Sequence, residues 1–463
     1  MNHHPARDRL RAGVHGRPPL PARLEHWMFA LLSDPDACEA LLAEHGSPVN
    51  VIEPGKLPRN AAELVDAGAR HGVEVGVFFA RKANKALALV RAASDAGHGV
   101  DVASESELRQ VLDAGVPGER VILSAAIKPD ALLELAVRSG TTVSVDGPAE
   151  LERVAAVASS AEAVARVAPR VAPSPATGLP PTRFGVLTSA WAQVDWARVP
   201  AVQVVGVHAH LHGYAAADRV AVLGECLPLV DALRAAGHPV GFVDLGGGVP
   251  MSYLDDRAVW HGFWAAMTSG NRDEAITWKD HPLGTVYPYW QEPVRGGWLD
   301  GLLALPLADG SGTAASGLAS RGLRLHLEPG RSLLDGCGLT LARVAFTKER
   351  SDGVGLVGLE MNRTQCRSTS DDFLVDPVLV RRGAAGDAYD GFLVGAYCIE
   401  DELILHRRMW FPEGVAAGDI IALPNTGGYL MHILESASHQ IPLARNVVPG
   451  PDGWELDAID RPA

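Results

Sequence analysis

The feature that most constrains this chain is an alternation that starts near residue 73. Short apolar, β-prone runs are each followed by an Ala/Leu-rich helical run. Val73–Phe79 precedes Lys85–Ala96, Gly99–Ala103 precedes Glu105–Ala114, Val121–Ser124 precedes Pro129–Ser139, and Thr142–Val145 precedes Pro148–Ser159. A β-then-α order at about thirty residues or fewer per unit predicts a parallel sheet, closing into a barrel if it reaches eight repeats. It continues through strands expected at Val164–Val171, Val202–Ala209, Val240–Leu245 and Leu323–Leu327, with a helix at Ala221–Ala236. The expected fold class is therefore α/β, a TIM-type (β/α)8 barrel over residues 46–335. Between about 250 and 320 the pattern breaks in a stretch holding Trp260, Trp264, Trp278, Trp290 and Trp298. An insertion this long is more often functional than idle; it reads as a helical subdomain or lid, or as a small core of its own. Beyond Leu327 short β-type runs (Gly338–Phe346, Val354–Leu359, Asp390–Val394, Glu402–Trp410, Asp419–Pro424) predict a β-rich sandwich or barrel domain over 336–463. Residues 1–24 read as a disordered leader, and 25–45 as a helical segment able to pack on the β-domain.

A chain of 463 residues exceeds one small core. A net charge of −14 argues against a nucleic-acid partner. No unbroken apolar run approaches a membrane span, and the first residues lack the apolar centre of a signal peptide. Five scattered cysteines without a CxxC pair suit reduced thiols in a cytoplasmic protein and give no structural zinc site.

Chemistry concentrates where the predicted strands end, the face on which barrels build active sites. Phe79-Ala80-Arg81-Lys82-Ala83-Asn84 places Lys82 at a strand end. There desolvation is expected to lower its pKa and free a nucleophilic amine; by itself the hexapeptide suits a surface lysine equally well. Asp244-Leu245-Gly246-Gly247-Gly248 follows a strand, and its glycines let backbone amides approach an anion. Glu328-Pro329-Gly330-Arg331 follows another. Its guanidinium suits a phosphate and its carboxylate a protonated ring nitrogen; a turn with a salt bridge is the plainer alternative. His208, His210 and His212 alternate, so on a strand they would share the barrel interior. A histidine stacked on a flat cofactor ring ranks first there and a metal site second. Cys398 and Tyr429, taken alone, are equally readable as packed residues.

In order, these motifs resemble the fold-type III pyridoxal-phosphate decarboxylases, the family of diaminopimelate, ornithine and arginine decarboxylases, from about Gly46 to about Leu443. Gly46-Ser47-Pro48 is similar to the family's Gly-Thr-Pro opening, and the Lys82 hexapeptide to its Tyr-Ala-x-Lys-Ala-Asn. Asp101-Val102-Ala103-Ser104 is similar to Asp-x-Ala-Ser, and Arg183-Phe184-Gly185 to Lys-Phe-Gly. The resemblance implies pyridoxal 5'-phosphate as cofactor, Lys82 as its Schiff-base lysine, and His210 stacked on its ring. It further implies Asp101 and Gly330 in the cofactor site and Gly246, Gly247, Gly248, Arg331 and Tyr429 near the phosphate. Glu328 would meet the pyridine nitrogen. Cys398 would be a catalytic proton donor supplied by a partner subunit, so that a homodimer completes each site.

The departures lie toward the substrate. The family's His-x-Gly-Ser is His210-Leu211-His212-Gly213 here. The acidic residue expected directly after the cysteine is Ile399, with Glu400 and Asp401 displaced. Glu360-Met361-Asn362 through Arg367 matches its family counterpart only loosely. His212, Arg367, Glu400 and Asp401 are the candidate substrate contacts. The expected reaction is loss of the α-carboxylate from an amino acid other than plain lysine, ornithine or diaminopimelate, in an outlying branch serving secondary metabolism. The rivals are a racemase of the same fold and a regulatory homologue without catalysis. No metal, membrane or nucleic-acid partner is expected.

Overall fold

The computed structural model describes residues 9–271, 276–284, 286–368 and 373–461. Eight parallel strands close on themselves: β1 (Val75–Ala80), β2 (Gly99–Val102), β3 (Val121–Leu123), β4 (Thr142–Val145), β5 (Ala165–Val171), β6 (Gly206–Ala209), β7 (Phe242–Asp244) and β8 (Arg324–Leu327). Each pairs with the next, and β8 pairs back to β1 through Leu325 opposite Val75. Both faces of these strands are covered, by helices outside and side chains inside. That is why they read as near-continuous Val/Leu/Ile runs rather than as an alternation. The expected eightfold barrel is present. The single strand expected at Val202–Ala209 is two, because Val202–Val204 pairs with the first half of β5 and the chain re-enters the sheet at Gly206.

The other sheet is mixed and ten-stranded. Its long strand Gly338–Glu349 lies against Gly355–Leu359, Ile420–Pro424 and Val49–Ile52. Val49–Ile52 therefore lies outside the barrel in which its position in sequence put it. Strands Val378–Val380, Arg445–Gly450 and Gly453–Leu456 are additional to the expected runs. Of the run expected at Glu402–Trp410 only the end is strand, at Met409–Phe411. Helices His26–Leu32 and Pro35–His45 place Leu31, Leu32, Cys38, Leu41 and Leu42 in one core with Leu339, Leu341 and Val378.

The leader expected to be disordered is ordered from Arg9 onward; residues 1–8 lie outside the described residues. Val14 and Leu20 are fully buried, and His15–Gly16 pairs with Met409 and Trp410. The buried Asp376 accepts the amides of Gly16 (2.9 Å) and Leu20 (2.7 Å). Arg407, also buried, donates to Asp376 (2.8 Å) and to the carbonyls of Pro18 and Leu374. A Pro-rich segment has no periodicity to read; its order comes from partners some 360 residues away. Arg407→Met leaves the Asp376 carboxylate buried without its counter-charge and is expected to cost about 3–5 kcal/mol, read as an earlier urea midpoint with unchanged slope.

The Trp-rich insertion divides. Helices Arg295–Ala304 and Ala314–Ala319 pack on the barrel helices Lys56–Arg70 and Ala216–Ala235, and their apolar residues belong to the barrel core. The earlier part, with helix Arg257–Thr268, joins the β-domain core through Phe263, Tyr287 and Tyr289. Trp278 packs edge-on against Phe392 (5.1 Å). The tryptophans thus form no separate core; most of the insertion ties barrel to β-domain.

Candidate active site

Each barrel strand delivers one polar side chain to its carboxyl end. In order they are Lys82, Asp101, Ser124, Ser144, Arg170, His208, Asp244 and Glu328. Lys82 follows β1 in a single 3-10 turn, Arg81–Ala83. Its Nζ donates to Asp101 Oδ2 at 2.6 Å, while 32% of its side chain stays open. Asp101 is buried and also accepts the Ser124 hydroxyl. The expectation of a lowered lysine pKa is overturned. Burial alone pulls the ammonium down, but Asp101 and then Glu328 reverse this and raise it above the ordinary lysine value. Two carboxylates outweigh desolvation, so Lys82 rests as a stored cation.

Glu328 and Asp244 are both about 1% exposed. Neither Glu328 oxygen has a hydrogen-bond partner among the described residues. Burial first, then Asp101 and Asp244, push its pKa well above the carboxylate range. Asp244, through burial and Asp101, is pushed up to about 7 although its Oδ1 accepts Gly246 N at 2.7 Å. His208 donates or accepts at Ser144 Oγ through Nδ1 (2.5 Å) and brings Nε2 within 3.8 Å of Glu328 Oε1. Arg170 fixes this layer, donating to Ser144 Oγ (3.0 Å), Asp146 Oδ1 (2.9 Å) and the Ser124 carbonyl (2.9 Å). Burial and the cations Arg170 and Lys82 keep both site imidazoles neutral; His210 is pushed down to about 3.

The histidines do not share one face as alternation predicted. β6 stops at Ala209, and the chain turns through Gly213 at φ +84°. His208 is buried, His210 half-buried at the mouth with its ring edge-on to Phe184 (5.7 Å), and His212 exposed. The carboxylate missing near them in sequence arrives in space: His208, His210 and Glu328 hold donor atoms within 4.8 Å of one another. The adjacent ammonium and guanidinium disfavour a third cation there.

The glycines serve close approach. A Cβ on Gly248 (φ +74°) would lie 2.0 Å from Arg219 Nη2 and 2.4 Å from the Gly213 carbonyl, and one on Gly330 2.7 Å from the Tyr429 hydroxyl. Arg331 lies between the rings of Tyr287 (4.1 Å) and Tyr429 (5.1 Å) and donates to Tyr253 Oη at 2.8 Å. Tyr429, itself at φ +69°, donates its amide to the Ala83 carbonyl beside Lys82 (2.8 Å). Arg367 is tied to the same stretch, through its amide to the Leu430 carbonyl at 3.0 Å.

Other candidates stand apart. Cys398 and Glu400 are exposed in a loop of the β-domain. Asp401, a candidate substrate contact, is held by Trp278 Nε1 (2.9 Å) and Lys279 Nζ (2.7 Å) of the insertion. Ser124, Ser144, Arg170, Tyr253 and Tyr287 lie in the site although no sequence motif singled them out. Two arginines, Arg166 and Arg170, interrupt the apolar run Val164–Val171, and that was the one signal for Arg170; the tyrosines gave none.

Residues 60–269 match the family model described as pyridoxal-dependent decarboxylase, pyridoxal binding domain. A diaminopimelate decarboxylase of Actinosynnema pretiosum is 30% identical over 426 residues, covering 89% of this chain and 85% of that protein. An uncharacterized protein of Sinorhizobium fredii, y4yA, is 32% identical over 414 residues, with 87% of each chain covered. Among solved structures, the diaminopimelate decarboxylase of M. jannaschii in co-complex with L-lysine superposes with a TM-score of 0.70 at 20% identity, covering 92% of this chain and 94% of that one.

The residues present fit pyridoxal phosphate. The buried Glu328 carboxylate lacks a partner among the described residues, as a group awaiting a ring N–H would. The glycine loop leaves no room for a Cβ, and a primary amine stands at the mouth. Asp101→Asn is expected to lower the Lys82 pKa. Because only the neutral amine attacks an aldehyde, the pH curve for cofactor uptake by apoprotein then shifts about one unit or more toward acid, read by stopped-flow absorbance. With the pyridoxal-binding domain matched and a 30% identical relative spanning nearly the whole of it, the chain belongs to the fold-type III pyridoxal-phosphate-dependent decarboxylases and is an amino-acid decarboxylase.

Proposed function

We propose that the enzyme removes the α-carboxylate of an amino acid whose distal end carries no second ammonium group, working as a homodimer in the cytoplasm. The observation that carries the site assignment is the Lys82–Asp101 pair beside a buried Glu328 whose oxygens accept no hydrogen bond among the described residues. When bound, the pyridine ring takes up the electron pair left at Cα as carbon dioxide departs. Lys82 would be the amine that holds the cofactor aldehyde. Glu328, whose surroundings favour a bound proton, would pass that proton to the ring nitrogen and then accept the resulting N–H at Oε1 or Oε2. His208, fixed by Ser144 and Arg170, orients that carboxylate. Neutral His210, at the mouth, would stack on the ring, and Arg331, Tyr429 and the glycine loop would hold the phosphate. Cys398 of the partner subunit returns a proton to Cα; exposure of this loop on one chain supports its use by another.

The substrate reading rests on Ile399, 46% exposed directly after Cys398, and on Asp401 being engaged elsewhere. With no carboxylate at that position, a distal ammonium would be desolvated without a partner. Diaminopimelate and lysine are thus disfavoured and uncharged side chains admitted, which suits a role in secondary metabolism. Among the described residues no helix is long and apolar enough to cross a membrane, and the five cysteines are free.

The deciding assay offers holoenzyme a panel of L-amino acids and measures carbon dioxide and amine together. Release of both from an uncharged substrate supports the reading. Exclusive turnover of lysine or diaminopimelate, or the mirror-image amino acid without amine, sinks it. The dimer has its own test. Lys82→Ala and Cys398→Ala subunits, each inactive alone, are expected on equal mixing to recover about a quarter of wild-type activity, because half the dimers then hold one intact site of two. No recovery, with exchange verified by mass, rules out sites shared between subunits.

A further inference from the structure

We propose that the insertion builds a second ligand site beside the active-site loops, and that it takes a zwitterionic aromatic amino acid. A cleft of about 530 Å³ is walled by Trp260, Trp290, Trp298 and Tyr214, a volume suited to a small ligand. Trp298 is 5% exposed, and Trp260 and Trp290 are half-buried. The half-buried Trp260 and Trp290 give this wall the aromatic surface against which a planar ring packs. The same cleft carries one charge of each sign. Arg257 spends only its Nε, on His261 Nε2 at 3.0 Å. Among the described residues neither Arg257 nor Glu292 makes an ion pair, and both are exposed. A guanidinium edge suits a carboxylate and a carboxylate suits an ammonium; an α-amino acid carries both on one carbon, which leaves its ring for the aromatic wall of the same cleft. A purely apolar guest would leave both charges unused, and a cation alone would meet Arg257.

The cleft is not remote from the cofactor loops. Trp298 Nε1 donates to the Tyr214 carbonyl (2.8 Å), and its ring lies under Arg219 (5.5 Å). Arg219 Nη2 in turn holds the carbonyls of Gly213 (2.8 Å) and Gly247 (3.0 Å). On its other side Tyr214 meets Tyr287 edge-on at 5.6 Å, and Tyr287 lies 4.1 Å from the Arg331 guanidinium. Occupancy of the cleft thus bears on the loop that carries the glycines. The site does not depend on which amino acid is decarboxylated.

The test titrates holoenzyme whose cofactor has been fixed to Lys82 with borohydride, so that no added amine can exchange or turn over there, with L-phenylalanine by calorimetry while the cofactor absorbance is followed. The expected result is saturable binding of one molecule per chain, with indole fluorescence altered and the cofactor band unchanged. Arg257→Met and Glu292→Gln, exposed positions chosen to spare folding, are each expected to weaken binding about tenfold or more. Phenethylamine, lacking the carboxylate, should be insensitive to Arg257→Met. Absence of saturable heat, affinity unchanged in both variants, or binding that appears only with a change in the cofactor band would each overturn the proposal.

Discussion

Lys82→Ala is expected to abolish turnover, lowering kcat/KM by about ten-thousandfold or more, because covalent attachment and the amine's proton traffic are lost together. Denatured wild-type protein treated with borohydride should keep the cofactor on a Lys82 peptide, and the variant should keep none. The fold should survive. The Lys82 side chain is 32% exposed, so truncating it to a methyl group opens space toward solvent and not a closed void. The site's electrostatics should shift in one direction. Without the ammonium, Asp101, Asp244 and Glu328 face one another uncompensated at close quarters, so Glu328 becomes still harder to ionise. A variant that still bound the aldehyde covalently, or turned over at a tenth of the wild-type rate or better, would remove Lys82 from the centre of the account.

Glu328→Gln is expected to cost about a hundred- to a thousandfold in kcat, the scale on which a preorganised charge-stabilising partner is lost, with a much smaller change in KM. The amide nearly matches the carboxylic acid in shape, so the barrel floor should remain packed. What disappears is an anion able to hold a proton on the pyridine nitrogen as charge develops in the ring. Burial beside Asp101 and Asp244 leaves Glu328 holding a proton, and that proton is the one the ring nitrogen would take, leaving the anion behind as its partner. The same variant separates decarboxylation from racemisation. If amine release collapses while slow interconversion of mirror images emerges, Glu328 was supplying the electron demand. An unchanged kcat would mean that the ring nitrogen finds its proton elsewhere.

The barrel was legible because each β-then-α unit carries its own signal. Apolar runs such as Thr142–Val145 are covered on both faces, and the helices between them are Ala/Leu-rich. The strand-end positions of Lys82, Asp101, the Gly246–Gly248 run and Glu328 were legible for the same reason, since barrels present strand ends on one face. Less local relations were not. The pairing of Val49–Ile52 with Gly338–Glu349 joins segments at opposite ends of the chain. The leader's order depends on Asp376 and Arg407. The histidine alternation failed because β6 ends one residue before His210, and strand ends are set by pairing partners rather than by the strand itself.

The sequence alone determined the eightfold repeat and the order in which strand ends deliver an amine, a carboxylate, a glycine loop and a second carboxylate. Both follow from periodicity and spacing within short windows. Only the tertiary structure decided that Lys82 rests charged rather than neutral, that Asp401 belongs to the insertion, and that Tyr253 and Tyr287 close around Arg331. The reason is physical. A pKa and an aromatic contact depend on which charges and rings lie within a few ångströms, and those neighbours come from segments that a local reading cannot join.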